Sequence, residues 1–317
     1  MEKARKEVSI THVHNEKLID EYAWLRDKNW PVVNNTEIID YLNNENKKAE
    51  NYFNKYKGLE DAIFREIKNK IIENDKSYPI KIGEYNYFQK YEKNKEYPIY
   101  YRNKENKETK DELLLDINNL DMKGCNHQDF KISPNHKLFA YSVDYRGSEI
   151  YKIITQNVSE PETKYEEING VDGSIIWDYK GDGYFYIKLT DNLRSSRVYY
   201  HKLKTEQKED QLLYEENDEV FELEIIKTSD GKYLLVIANS KSENEVRYID
   251  LINNELYEEK KLFEREEGKI FIIDHKKDHF YIKSNDKGKN FRLSKVGVST
   301  CNHKHMELQT RTFLGPN

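Results

Sequence analysis

The stretch Ser133-Pro134-Asn135-His136-Lys137-Leu138-Phe139-Ala140-Tyr141 is a turn followed by a run of aromatic and aliphatic residues, and its recurrence decides the fold. It returns at Lys180-Gly181-Asp182-Gly183-Tyr184-Phe185-Tyr186-Ile187 and at Ser229-Asp230-Gly231-Lys232-Tyr233-Leu234-Leu235-Val236. A weaker copy is Lys277-Asp278-His279-Phe280-Tyr281-Ile282. With Lys137, Gly183, Lys232 and Asp278 as equivalents, the spacings are 46, 49 and 46 residues. Tyr-rich segments follow the copies, as in Val198-Tyr199-Tyr200 and Val246-Arg247-Tyr248-Ile249. A period of about 40–50 residues with four strands per unit is what a β-propeller blade requires. Each blade is a small twisted sheet that must bury its faces on its neighbours. An irregular β-sandwich or barrel is the alternative.

Outward from this region, strand-like segments begin near Tyr78, with Tyr85-Asn86-Tyr87-Phe88, Ile99-Tyr100-Tyr101 and Leu113-Leu114-Leu115. Before it, the first seventy or so residues read as helix. Asn34 and Glu37 have capping-box spacing. Ile38, Tyr41, Leu42, Ala49, Tyr52, Phe53 and Tyr56 then recur at helical steps, and Gly58 is placed to close that helix. Leu59, Ala62, Ile63, Ile67 and Ile71 form a second amphipathic stretch, and both stripes need a partner surface. The expected fold is mainly β: a partial β-propeller of about five blades preceded by an N-terminal helical segment. Its expected divisions are a helical segment over 1–75, blades over 76–297 and a divergent tail over 298–317.

The composition bounds the function. The 317 residues carry 52 Lys plus Arg and 58 Asp plus Glu, a net charge of −6, which argues against a nucleic-acid partner. Mean hydropathy is −0.99, yet 25 Tyr, 12 Phe and 3 Trp supply a core. No apolar run approaches the roughly 18 residues that span a bilayer, and Met1 to Asp20 has no apolar signal region. Cys125 and Cys301 are too few for a disulfide framework or a Cys-rich zinc site. These features predict a soluble cytoplasmic protein.

A set of short motifs, in order, resembles the oligopeptidase B family within the prolyl oligopeptidase group of serine peptidases. They begin with Asp20-Glu21-Tyr22-Ala23-Trp24-Leu25-Arg26-Asp27 and Tyr41-Leu42-Asn43-Asn44-Glu45-Asn46. Glu96-Tyr97-Pro98-Ile99-Tyr100, Leu113-Leu114-Leu115-Asp116 and Ile132-Ser133-Pro134 follow. Then come Phe139-Ala140-Tyr141-Ser142-Val143-Asp144, Gly147-Ser148-Glu149-Ile150-Tyr151 and Arg197-Val198-Tyr199. The last are Ser284-Asn285 and Gly288-Lys289-Asn290-Phe291. The resemblance implies a propeller that caps an α/β-hydrolase and admits short peptides, with N-terminal helices folded back on the hydrolase. It also implies that the family's Ser, Asp and His, and the carboxylates that read a basic substrate residue, lie beyond residue 317. No family catalytic residue is carried over, and no cofactor or metal is expected.

The residues give no independent catalytic signature. Gly297-Val298-Ser299-Thr300-Cys301 approaches the G-x-S-x-G nucleophile elbow, but Cys stands where Gly is needed and no strong strand is expected before it. His275 and His279 have the spacing of two metal ligands on a helix, yet the repeat register puts Lys276-Lys277-Asp278 in a turn. His12 with His14, and His303 with His305, lack a third ligand nearby and read as surface residues. Gly181-Asp182-Gly183 fits a hairpin turn rather than a phosphate loop. The mixed-charge run Lys104 to Glu112 reads as a solvated hairpin tip.

Three functions compete. The first is the non-catalytic propeller portion of an oligopeptidase B-like peptidase, a truncated remnant or half of a split enzyme completed by a separate hydrolase chain. It predicts an uncovered apolar face between Asn34 and Ile72, and open blade edges. The second is a stand-alone propeller that binds proteins or peptides. The third is an unrelated propeller enzyme, such as a glycoside hydrolase with carboxylates at one channel mouth.

Overall fold

The recurring turn-and-strand segments each become the second strand of a four-stranded antiparallel blade. The computed structural model describes residues 3–30, 32–104, 110–120, 126–161, 163–254, 256–300 and the backbone of 307–308. The chain divides into two compact units, residues 1–73 and 74–317.

In the first unit, a hairpin of β1 (Ser9–Val13) and β2 (Glu16–Asp20) precedes α1 (Thr36–Phe53) and α2 (Lys57–Lys68). The hairpin corrects the expectation of helix from the start. His14 and Asn15 have φ of 51° and 64°, the conformation of a two-residue hairpin turn, and Val13 pairs with Glu16. The cap of α1 is also shifted by one residue. Asn35, not Asn34, accepts from the Glu37 amide at 2.9 Å, because Asp27 draws the Asn34 amide to its own carboxylate at 2.7 Å. Asp27 further accepts from the amides of Asn29 and Asn35, so the family-like segment ending there anchors the helix start. Gly58 does not close a helix. A turn of 3-10 helix at Asn54–Tyr56 carries α1 into α2, and Gly58 lies inside α2 with open space around it.

The second unit has five blades in chain order. Blade one is β3 (Asp75–Lys76), β4 (Ile80–Ile82), β5 (Tyr85–Tyr91), β6 (Ile99–Lys104) and β7 (Glu112–Asp116); Pro79 lies between β3 and β4, the two pieces of its first strand. Blade two is β8 (Asn126–Ile132), β9 (Leu138–Asp144), β10 (Tyr151–Asn157) and β11 (Lys164–Val171). Blade three is β12 (Ile176–Trp177), β13 (Gly183–Leu189), β14 (Ser195–Lys202) and β15 (Gln211–Glu215), joined to blade two by one bridge, Val171 to Lys188. Blade four is β16 (Glu222–Lys227), β17 (Tyr233–Asn239), β18 (Asn244–Asp250) and β19 (Lys260–Phe263). Blade five is β20 (Phe271–Lys276), β21 (His279–Ser284), β22 (Arg292–Gly297) and β23 (Glu307–Leu308). Because β23 pairs with Ser294 and Lys295, the blade pattern continues into the segment expected to diverge after residue 297.

One residue with positive φ stands ahead of each second strand: Gly83, His136, Gly181, Gly231 and Lys277. A tight turn between adjacent strands needs that left-handed residue. These positions show a fifth copy of the repeat at Gly83-Glu84-Tyr85. They also move the third copy's register point from Gly183 to Asp182, where the chain runs straight from the turn into β13. The second strands are the core. All of β9 is buried, as are Tyr184 to Ile187 and Tyr233 to Ala238.

Four apolar clusters fill the four seams between consecutive blades. Tyr87, Leu114 and Ile117 meet Phe139, Tyr141 and Ile154 in the first. Ile153 and Ile168 meet Trp177 and Tyr184 in the second. Phe185 and Val198 meet Leu223 and Leu234 in the third, and Tyr233 and Tyr248 meet Phe271 and Phe280 in the fourth. Polar staples at the turn between first and second strands reinforce each seam. Arg102 donates to the His136 carbonyl at 2.8 Å, and the Trp177 indole donates to the Lys131 carbonyl at 3.1 Å. Lys227 donates to the Trp177 carbonyl, and the Ser229 amide donates to Asp274 at 2.8 Å.

Two glycine substitutions separate these roles. Gly58→Ala is expected to stabilise the helical unit by about 0.5–1 kcal/mol, since its backbone is helical and its surroundings are empty. Gly183→Ala is expected to cost about 1–3 kcal/mol, since the added Cβ would lie 2.2 Å from the His201 carbonyl oxygen. Urea unfolding followed by circular dichroism checks both signs.

Candidate functional site: an apolar helical face and buried ionic seams

The helical pattern read from the sequence becomes a real stripe, and it faces water. Leu42, Tyr52, Phe53 and Tyr56 lie along α1 and the turn after it, and Leu59, Ile63, Phe64 and Ile67 along α2. With Ile71 and Ile72 they are 49–75% exposed, whereas Ile38 is buried. Leu59, Ile63 and Ile67 recur every four residues and so share one face. Exposed apolar surface of this extent marks an interaction surface.

The polar residues singled out from sequence do not converge. Ser299 is exposed beside Lys232, Lys277 and Asp278. Contrary to expectation, a strand does precede it: β22 runs into Gly297, and a 3-10 turn follows at Val298–Thr300. That strand belongs to a blade, where Gly297 pairs with His279. His275 and His279 flank the turn at Lys277, in neighbouring pairs of the β20–β21 ladder, so they point to opposite sheet faces. His275 is buried with Nδ1 2.7 Å from Asp230, while His279 is half-buried. His12 and His14 are exposed in the first hairpin. Cys125, Cys301, His303 and His305 lie outside the described residues, as do 105–109 of the charged run. The ends of that run are more than solvated tip: Glu112 grips the buried Arg102 guanidinium, and Asp111 pairs with Lys90 at 2.7 Å. Among the described residues, no three His, Cys, Asp or Glu side chains group to hold a metal ion.

The seams hold charge that the sequence reading missed. In blade three, His201 is 1% exposed, with Nδ1 2.7 Å from Asp210 and Nε2 3.2 Å from Glu166 of blade two. Burial opposes its charge, but the two carboxylates outweigh burial and raise its pKa to about 9. In the first seam, His127 sits 3.0 Å from the Tyr100 hydroxyl, and burial alone lowers its pKa to about 4. Between blades three and four, Arg265 pairs with the buried Glu216 and Glu245, and Arg247 bridges Glu245 and Glu259. The only sequence signal for His127 or His201 is a lone histidine within a strand-like segment. The partners across the seam, Tyr100 for His127 and Glu166 for His201, stand 27 and 35 positions away.

Comparison with known proteins follows the same outline. The family described as "Prolyl oligopeptidase, N-terminal beta-propeller domain" matches residues 2–309. Protease 2 of Moraxella lacunata is 26% identical over 305 residues, covering 92% of this chain and 43% of the relative. Dipeptidyl aminopeptidase BI of Pseudoxanthomonas mexicana is 27% identical over 320 residues, covering 95% and 44%. The structure of oligopeptidase B from Leishmania major superposes with a TM-score of 0.88 at 27% identity, covering 96% of this chain and 46% of that one. Oligopeptidase B from Trypanosoma brucei, with covalently bound antipain, gives 0.84 at 25% identity with the same coverages. The chain thus spans less than half the length of these relatives. Among the described residues, no helix is long and apolar enough to cross a membrane.

Two outcomes follow from this geometry. Ile63→Asp with Ile67→Asp is expected to leave the thermal midpoint unchanged, because both side chains are exposed, and to cut binding of the dye ANS by about half. Lowering the pH is expected to weaken the first seam. The unfolded chain takes up the His127 proton near pH 6.5, the folded chain only near 4, so stability falls as pH drops across that window. His127→Gln is expected to flatten this part of the melting-temperature profile by a few degrees.

Proposed function

Because the chain belongs to the prolyl oligopeptidase N-terminal β-propeller family, we propose that it is the propeller portion of an oligopeptidase B-like serine peptidase. It restricts access to a separate α/β-hydrolase portion and leaves bond cleavage to it. The helical stripe is the docking face for that portion, and short peptides cut after basic residues are the substrates. This chain supplies no catalytic group, cofactor or metal, and it works in the cytoplasm.

The observation that carries this reading is the exposed apolar face on α1 and α2, where large side chains recur at helical spacing on one surface. Six to ten side chains of that size, at about 1.5–3 kcal/mol each on full burial, represent more than enough affinity to hold a second portion. Supporting it are five blades with four packed seams, and relatives more than twice as long whose names are those of peptidases. Cleavage of an amide requires an activated nucleophile, a base to take its proton and donors for the oxyanion. Ser299, the one serine in an elbow-like sequence, has no imidazole beside it among the described residues lining its pocket.

The test is turnover of a fluorogenic dibasic dipeptide by the purified chain. The expected result is no hydrolysis above buffer, for the wild type and for Ser299→Ala alike. Hydrolysis by a preparation shown by mass spectrometry to contain only this chain would overturn the non-catalytic assignment, whichever way Ser299→Ala behaves.

A further inference from the structure

The seam between blades two and three is unlike the other three in its chemistry, because its buried polar link runs through a histidine with a carboxylate on each ring nitrogen. Nδ1 of His201 faces Asp210 at 2.7 Å, on its own blade, and Nε2 faces Glu166 at 3.2 Å, across the seam on β11. A neutral imidazole donates from one nitrogen only and presents a lone pair at the other. In this setting the lone pair would face a carboxylate oxygen. Only the doubly protonated ring satisfies both neighbours. From this geometry we propose that His201 is a base-released clamp, holding blades two and three together as an imidazolium and letting their seam loosen when it loses its proton.

The groups around the ring fit this role. Tyr186 on β13 donates to the other Asp210 oxygen at 2.8 Å, which holds that carboxylate aimed at the ring. The Lys204 amide donates to the other oxygen of Glu166. Tyr184, also on β13, packs against the ring with centroids 5.3 Å apart and planes tilted by 48°, and carries no charge at these pH values, since burial pushes its hydroxyl far up. No cation other than the imidazolium is bonded to Asp210 or Glu166 among the described residues. Loss of the proton therefore leaves two buried or half-buried carboxylates and no counter-charge. The other polar links across the seam carry no formal charge on their donors: the reciprocal amide bonds of Gln207 with Asn169 at 3.1 and 2.9 Å, the Trp177 indole on the Lys131 carbonyl, the Lys204 amide on Glu166, the Thr155 hydroxyl on the Tyr184 hydroxyl at 3.5 Å, and the backbone bridge at Val171 and Asp172.

The direction with pH follows from linkage. The ring titrates near 6.5 in the unfolded chain and near 9 in the folded one. Its contribution is therefore complete below about pH 6.5 and lost as the pH rises through about 9. The clamp is a property of the seam itself, whether or not the chain serves a peptidase.

Two readouts on the full-length chain test it. The first is NMR titration of the chain labelled with 13C-histidine. The His201 signal is expected to titrate near pH 9, and at least about one unit lower in Glu166→Gln, which removes the cross-seam charge but keeps the fold. The second is the emission of Trp177 in a Trp24→Phe, Trp30→Phe background, because Trp177 is packed inside this seam against Tyr184 at 5.3 Å. Its spectrum is expected to shift with the His201 titration, and the melting temperature to fall by about 5–10 °C between pH 7 and 9.5. A His201 signal that titrates below pH 7, or a Trp177 transition unchanged in Glu166→Gln, would overturn the clamp. His201→Gln is expected to remove the alkaline transition; if that variant does not fold, Glu166→Gln alone carries the test.

Discussion

Packing of each blade's second strand between its neighbours is the constraint on which the rest of the second unit depends. A four-stranded sheet of this size has two apolar faces and no means of covering either alone. The second strands answer this with large side chains on both faces, so that Phe139 turns to blade one and Leu138 to blade three. Phe185 faces blade four while Tyr184 faces blade two. Four seams are therefore made from one alternation repeated along the chain. The left-handed residue ahead of each second strand sets where that alternation begins, and a slip of one residue there would exchange the two faces.

Polar staples then settle the seams that apolar packing alone leaves free to slide. Each sits at the same end of its blade, where first and second strands meet, but the chemistry changes from seam to seam. A guanidinium on a carbonyl serves the first, an indole the second, an ammonium the third and a Ser–Asp–His set the fourth. Histidines in the first two seams are held in opposite protonation states by their surroundings. His127 has burial and no nearby charge, and stays neutral. His201 has equal or greater burial but two carboxylates, and stays charged. Blade two thus lies between one seam sensitive to acid and one sensitive to base.

The helical unit follows a different economy. Its hairpin is almost wholly exposed, Ile38 is its one buried large aliphatic residue among those described, and its order comes from local polar ties centred on Asp27 and on Trp24 with Arg5. Ion pairs such as Lys57 with Glu60 and Asp61 are exposed and contribute little. A helix pair of this kind keeps its apolar face free for something other than its own core, and that free face carries the functional reading.

Much of the architecture was readable in the linear chain. The repeat gave the blade and its period, because turn residues and period-two alternation are local properties that each copy carries by itself. The apolar stripes of α1 and α2 were equally legible. The limits were local as well. The Asn34 cap was displaced by Asp27 and the Gly58 stop by the 3-10 turn that carries α1 into α2, and the His14-Asn15 hairpin was missed beneath a polar surface. What tertiary structure alone decided is the charge in the seams. His201 reads as an ordinary strand residue until folding brings Glu166 to it from thirty-five positions away, and no spacing rule encodes such a meeting. Its ionisation depends on burial and on carboxylates from two blades, properties that exist only once the blades are packed.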